Sequence, residues 1–122
     1  MAVKIQIKRV YEPSAPQDGL RVLVDRVWPR GLTKEQVKAS LWLKEIAPST
    51  ALRKMFNHDP SLWTDFKRRY FVELDQTPQE VQRLLAAFTD PETLTLLYSA
   101  RDETHNQAAA LREYLLEKIK AH

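Results

Sequence analysis

Residues 20–31 read Leu-Arg-Val-Leu-Val-Asp-Arg-Val-Trp-Pro-Arg-Gly, an apolar run that ends in a charged turn. Val22, Leu23 and Val24 follow one another without polar alternation, so a strand over Leu20–Asp25 is buried on both faces, the habit of parallel sheets clothed in helices. Leu94–Ser99 is a further strand candidate, with Leu94, Leu96 and Leu97 supplying its apolar content. Long helical patterns separate the two, a spacing that lets them pair in parallel through a right-handed crossover. Ahead of both, Val3, Ile5 and Ile7 alternate with Lys4, Gln6 and Lys8. That is an edge strand with one wet face, its lysines discouraging pairing with another chain. Its direction stays open, because the loop marked by Pro13, Pro16, Asp18 and Gly19 permits either.

Helix signals fill the rest. Thr33 caps a short helix ending near Ser40, before the apolar Leu41, Trp42 and Leu43. Pro48 and Ser49 open a second through Phe56, and Asp59 with Pro60 opens a third whose aromatic face is Leu62, Trp63, Phe66, Tyr70 and Leu74. Thr77 and Pro78 start a fourth, with Val81, Leu84, Leu85 and Phe88 on one stripe, and Thr104 caps the last, which buries Ala108, Leu111, Leu115 and Ile119. The order predicts one α/β domain over residues 1–122, a small and mostly parallel sheet of three strands or slightly more, covered by helices.

With 122 residues, 43% of them apolar and 29% charged, the chain has the size and balance of one globular domain, which excludes disordered, collagen-like and coiled-coil classes. The absence of cysteine excludes a disulfide framework, a zinc ribbon, a thiol nucleophile and an iron–sulfur cluster. Apolar runs such as Leu84–Phe88 are far shorter than the ~20 residues a membrane span needs, and Lys4 and Lys8 interrupt any signal-peptide core. The expectation is a soluble, cytoplasmic protein with no membrane contact. The net charge of +3 is too small to imply nucleic-acid binding by itself, but residues 1–58 carry +6 and residues 59–122 carry −3. The asymmetry favours an anion approaching the N-terminal half, against the alternative that solvated charges fell unevenly.

In open parallel sheets, ligands sit beyond the C-terminal strand ends. One such end supplies Asp25, Arg26, Trp28 and Arg30, a stiff turn whose guanidinium forks suit bidentate capture of phosphate or carboxylate; the alternative pairs Asp25 with an arginine and buries Trp28. The other supplies Ser99, Arg101, Asp102, His105 and Asn106 at a helix start, where a neutral His105 serves as general base or acid, or else is an exposed first-turn residue beside its cap. Lys44 and Arg53 are further candidates for reaching an anion. His58 and Asp59, with His105, Asp25 or Asp102, are conceivable metal ligands, but no pair has the helical or hairpin spacing of a metal site, so neither a metal nor another cofactor is expected. There is no Gly-x-Ser-x-Gly elbow and no glycine-rich phosphate loop.

The runs from Val22 to Gly31, Leu41 to Thr50, Phe56 to Pro60, Phe66 to Tyr70 and Leu96 to Asp102, with His105-Asn106, resemble the YeaO-like branch of the domain-of-unknown-function 488 family over nearly the whole chain. The resemblance implies a compact bacterial α/β domain and brings no reaction with it. Longer members of the wider family carry cysteines and a Cys-His-Arg segment in the region matching His105; here Asn106 and Gln107 follow the histidine, so thiol chemistry does not transfer. Some YeaO-like proteins bear a MarR-type regulator label, yet this chain has no winged-helix pattern and no basic recognition helix.

Three functional expectations follow. The first is binding of an anionic small molecule, a phosphorylated metabolite or nucleotide, through Arg26, Arg30 and Arg101, with Asp25, Asp102 and His105 orienting those groups or moving protons. The second is a nucleic-acid-binding, transcription-associated module using the basic half and stacking surfaces on Trp28, Trp42 and Trp63. The third is a non-catalytic interaction domain with an exposed apolar patch. Whether any bond is broken, and the oligomeric state, stay open.

Overall fold

In the computed structural model, residues 4–87 and 93–120 are described. Val3 and Phe88, assigned above to the first strand and the fourth helix, lie outside the described residues. Four strands, β1 (Lys4–Arg9), β2 (Leu20–Leu23), β3 (Leu41–Trp42) and β4 (Thr93–Tyr98), form one sheet in the order β1-β4-β2-β3. Every pairing is parallel. This resolves the direction left open for β1, which runs alongside β4 and is an edge strand. The two-residue β3 is an addition; Leu41 and Trp42 pair with Val22 and Leu23.

Burial explains the continuous apolar runs. Val22, Val24, Leu94, Leu96 and Tyr98 point to one face and join a core with Phe56, Phe66, Tyr70, Leu84, Leu111 and Leu115, while Leu23 and Leu97 point to the other and pack with Val10, Val37, Trp28 and Leu32. Each fully buried leucine contributes ~1.5–3 kcal/mol of transfer free energy. The first face is covered by α2 (Thr50–Phe56), α3 (Trp63–Asp75), α4 (Pro78–Ala87) and α5 (Gln107–Lys120), the second by α1 (Lys34–Val37) and adjoining loops.

The helix starts follow local chemistry. Thr33 forms a capping box with Gln36, its hydroxyl oxygen accepting the Gln36 N–H at 3.2 Å while its own N–H donates to Gln36 Oε1 at 2.8 Å. Ser49 accepts the Leu52 N–H at 3.1 Å. Asp59 caps a 3₁₀ turn, Pro60–Leu62, that leads into α3. Two expected boundaries move. The helix α1 stops at Val37 because Lys38 is left-handed, with φ of 51°, and the buried Arg21 takes the last carbonyls, donating to Val37 O at 2.7 Å and Lys38 O at 3.1 Å. The last helix starts at Gln107, and its cap is Asn106, not Thr104: Asn106 Oδ1 accepts the Ala109 N–H at 2.9 Å.

The wet face expected of β1 is only partly wet. The 3₁₀ turn Pro16–Asp18 folds over it, and Asp18, 2% exposed, accepts from Lys8 Nζ at 3.1 Å and Arg21 at 2.5 Å. Gly19 then enters β2 with φ of +63°, so close to β4 that a Cβ there would lie 2.2 Å from the Thr93 carbonyl oxygen.

Candidate functional site

The strand pairing sets the site. Arg9 is level with Tyr98, and Leu23 with Leu97, so β1, β2 and β4 finish side by side. After β2 the chain turns to α1 on one face of the sheet, and after β4 it turns to α5 on the other. Neighbouring strands whose exits diverge to opposite faces leave a crevice between their ends. Here it is a cavity of about 870 Å³, lined from the β1, β2 and β4 exits, from α2 and from the start of α5.

Of the residues singled out from sequence, Asp25, Arg26, Trp28, Arg30, Arg53, Ser99, Arg101, Asp102, His105 and Asn106 all line this cavity. Lys44 does not. It lies on the 3₁₀ turn after β3 with its ammonium 5.3 Å from the centre of the Trp42 ring.

The lining residues fall into two groups by what already holds them. Several are committed to the fold. Arg26 donates to the carbonyls of Ala47 at 3.0 Å and Pro48 at 3.2 Å, and so clasps the segment before α2. Trp28 donates its indole N–H to Leu32 O at 2.7 Å, packs edge-on against Trp42 and is half-buried against the smaller core cluster, while Asp25 forms no ion pair with an arginine among the described residues. Asn106, 2% exposed, spends both ends of its amide on the α5 cap and on Asp102 O. Asp102 Oδ1 accepts the His105 and Thr104 N–H groups, each at 2.9 Å, which hold its carboxyl far below the usual carboxylate range. Its Oδ2 lies 3.0 Å from His105 Nδ1, and the imidazole stands edge-on to Trp63. The pair orients the ring so that Nδ1 faces the carboxylate.

The second group is Arg30, Arg53 and Arg101. All three are exposed at the cavity rim, and among the described residues none of them forms an ion pair. Below them sits Asp25, 7% exposed, whose Oδ2 accepts the Ser99 N–H at 3.0 Å and whose Oδ1 accepts from the Gln107 amide. Burial pushes the Asp25 carboxyl up from its ordinary value, opposed by those hydrogen bonds and by the charge of Arg53, which acts without ion-pair contact. Phe56, Phe66, Pro29 and Pro48 supply apolar wall.

Sequence reasoning missed Arg9, Tyr11 and Gln107. Arg9 donates to Ala100 O at 3.1 Å and lies over the Tyr11 ring at 4.7 Å, and Tyr11 donates to Arg30 O at 3.1 Å, so the β1 exit ties the other two together. The signal was the open direction of β1: a parallel β1 delivers Arg9 to the same rim. His58, considered only for metal, also lines the cavity, in a left-handed conformation with φ of 57°. Among the described residues no group of three or more His, Cys, Asp or Glu is placed to hold a metal ion, and no helix is long and apolar enough to cross a membrane.

Fold and cleft together define a small parallel α/β domain with a cation-rimmed crevice at its strand ends. The chain belongs to the DUF488-N3i family, described as the inactive DUF488-N3 subclade, whose model matches residues 4–122. It is 46% identical over 113 residues to the uncharacterized protein YeaO of Escherichia coli, covering 93% of this chain and 97% of that protein. It is 35% identical over 112 residues to the uncharacterized proteins Mb3100c of Mycobacterium bovis and Rv3073c of Mycobacterium tuberculosis, covering 92% of this chain and 93% of each. No solved structure matches it.

Proposed function

We propose that the chain binds a small phosphate-bearing anion in this crevice and holds it without chemical turnover. One observation carries the reading: three guanidinium groups, those of Arg30, Arg53 and Arg101, line a single cavity and, among the described residues, none of them forms an ion pair with a carboxylate. Like charges are gathered at a cost unless something of opposite sign joins them, and guanidinium forks match phosphate oxygens in pairs. The start of α5 adds backbone amides and a favourable dipole on the same side. Binding without turnover agrees with the description of the subclade as inactive. In this reading Arg30, Arg53 and Arg101 contact the anion, Arg26, Trp28, Ser99 and Asn106 hold the loops that present them, and the Asp102–His105 pair offers a fixed imidazole at the edge.

The nucleic-acid reading draws less support. Trp63 is stacked on Phe66 at 5.7 Å and tilted against Phe56 at 5.9 Å, and Trp28 is packed on Trp42, which leaves Trp42, 38% exposed, as the one indole with a sizeable open surface.

Calorimetric titration of inorganic phosphate and ribose 5-phosphate into the wild type, Arg30→Ala and Arg101→Ala tests the proposal. Each substitution is expected to weaken binding about tenfold or more, the worth of one charge-assisted hydrogen-bonded pair. Because both side chains are exposed, the unfolding free energies should stay within about 0.5 kcal/mol of wild type. Equal affinities in all three proteins, or no binding to the wild type, defeat the proposal.

A further inference from the structure

The cavity is not uniformly built for an anion. Its rim is cationic, but Asp25 lies inside it, 7% exposed, carrying a carboxylate that repels any anion placed beside it. Nor is Asp25 free to turn away, since the Ser99 N–H and the Gln107 amide each fix one of its oxygens. A carboxylate has about four acceptor positions, so further lone pairs remain for a donor. The same cavity also has apolar lining that includes the edges of Phe56 and Phe66, two largely buried rings 4.4 Å apart. A volume of about 870 Å³ exceeds what a bare phosphate fills and falls within the range of about 300–1,000 Å³ common to small-molecule and cofactor sites.

Resting on the phosphate reading above, we infer that the ligand is a mononucleotide: its phosphate meets the rim arginines, its base lies along the apolar wall, and an N–H edge of the base donates to Asp25. Guanine meets this demand best among the bases, because its N1–H and 2-amino groups are adjacent donors, whereas an edge that sets an acceptor beside a donor turns one lone pair toward a carboxylate oxygen. The role of Asp25 is then discrimination between bases. This also gives a reason for a buried carboxylate inside an anion site, where, among the described residues, no arginine forms an ion pair with it.

The ligand side offers a test that needs no variant. GMP, N1-methyl-GMP and ribose 5-phosphate are titrated into the wild-type protein. GMP is expected to bind at least about tenfold more tightly than either of the others, the value of hydrogen bonds to a charged acceptor. Asp25→Asn should bring GMP down toward ribose 5-phosphate while leaving ribose 5-phosphate itself no weaker. If all three ligands bind wild type equally, the base-recognition inference is overturned and the phosphate reading stands. If N1-methyl-GMP binds as tightly as GMP, donation to Asp25 is refuted. If none of the three binds, the phosphate reading falls with it.

Discussion

Asp18 is nearly sealed from water and still ionised, because donors surround it. Burial pushes its carboxyl up, but the Ala15 N–H at 3.0 Å, Lys8 and Arg21 outweigh burial and hold it below the ordinary aspartate value. A carboxyl depressed in the folded state stabilises the protein above the ordinary aspartate range, and that stabilisation is lost as pH falls through the range toward the folded value. Asp25 acts in the opposite sense: burial raises it, so its ionised form costs stability, and the cost is relieved as pH falls through its raised value. Asp18→Asn separates the two. It leaves Lys8 and Arg21 without their partner, and at neutral pH it should cost about 3–5 kcal/mol, the usual penalty for breaking a buried pair from one side. In urea melts across a pH series, the variant should also lose the acid-range decline that Asp18 contributes. A variant as stable as wild type at neutral pH, with an unchanged acid slope, contradicts this account. None of this was legible in the sequence, where Asp18 reads as an ordinary loop residue; its partners come from β1 and β2 and meet it only after folding.

The start of α5 shows why element boundaries are harder to read than elements. Asp102, Thr104 and Asn106 are all good caps by residue type, and sequence alone does not rank them. In the fold Asp102 closes a separate turn on the N–H groups of Thr104 and His105, and Asn106 is left to cap the helix. Asn106→Ala should therefore cost about 1 kcal/mol of stability, while Thr104→Ala should stay within about 0.5 kcal/mol, as measured by chemical denaturation. The reverse order restores Thr104 as the cap. The early end of α1 has a similar origin, since Arg21, distant in sequence, supplies the donors that its last carbonyls need. The strand β3 escaped notice because two residues are too few to show a period. The buried strands were legible because Val22, Leu23 and Val24 run unbroken and Leu94, Leu96 and Leu97 lie close together, and the long aromatic stripe of α3 because Phe66, Tyr70 and Leu74 recur four apart.

At the scale of the whole molecule, a parallel sheet makes chemistry at its strand ends readable, because parallel strands share one C-terminal edge. That rule directed attention to Asp25, Arg30 and Arg101 from the two buried strands, and it overlooked Arg9 and Tyr11 only while the direction of β1 was open. The excess positive charge of residues 1–58 reaches the cavity through Arg9, Arg26, Arg30 and Arg53, and Arg101 arrives from the acidic half. What sequence did not show is which of these guanidinium groups are spent: Arg26 reads like Arg30 on paper, yet it is bound to two carbonyls. The central claim is that the uncommitted ones share a ligand. A crystal of the wild-type protein grown in saturating phosphate tests it most directly. Ordered tetrahedral density held by at least two of Arg30, Arg53 and Arg101 is the predicted result; a cavity with these arginines turned apart and phosphate absent or bound elsewhere would contradict it.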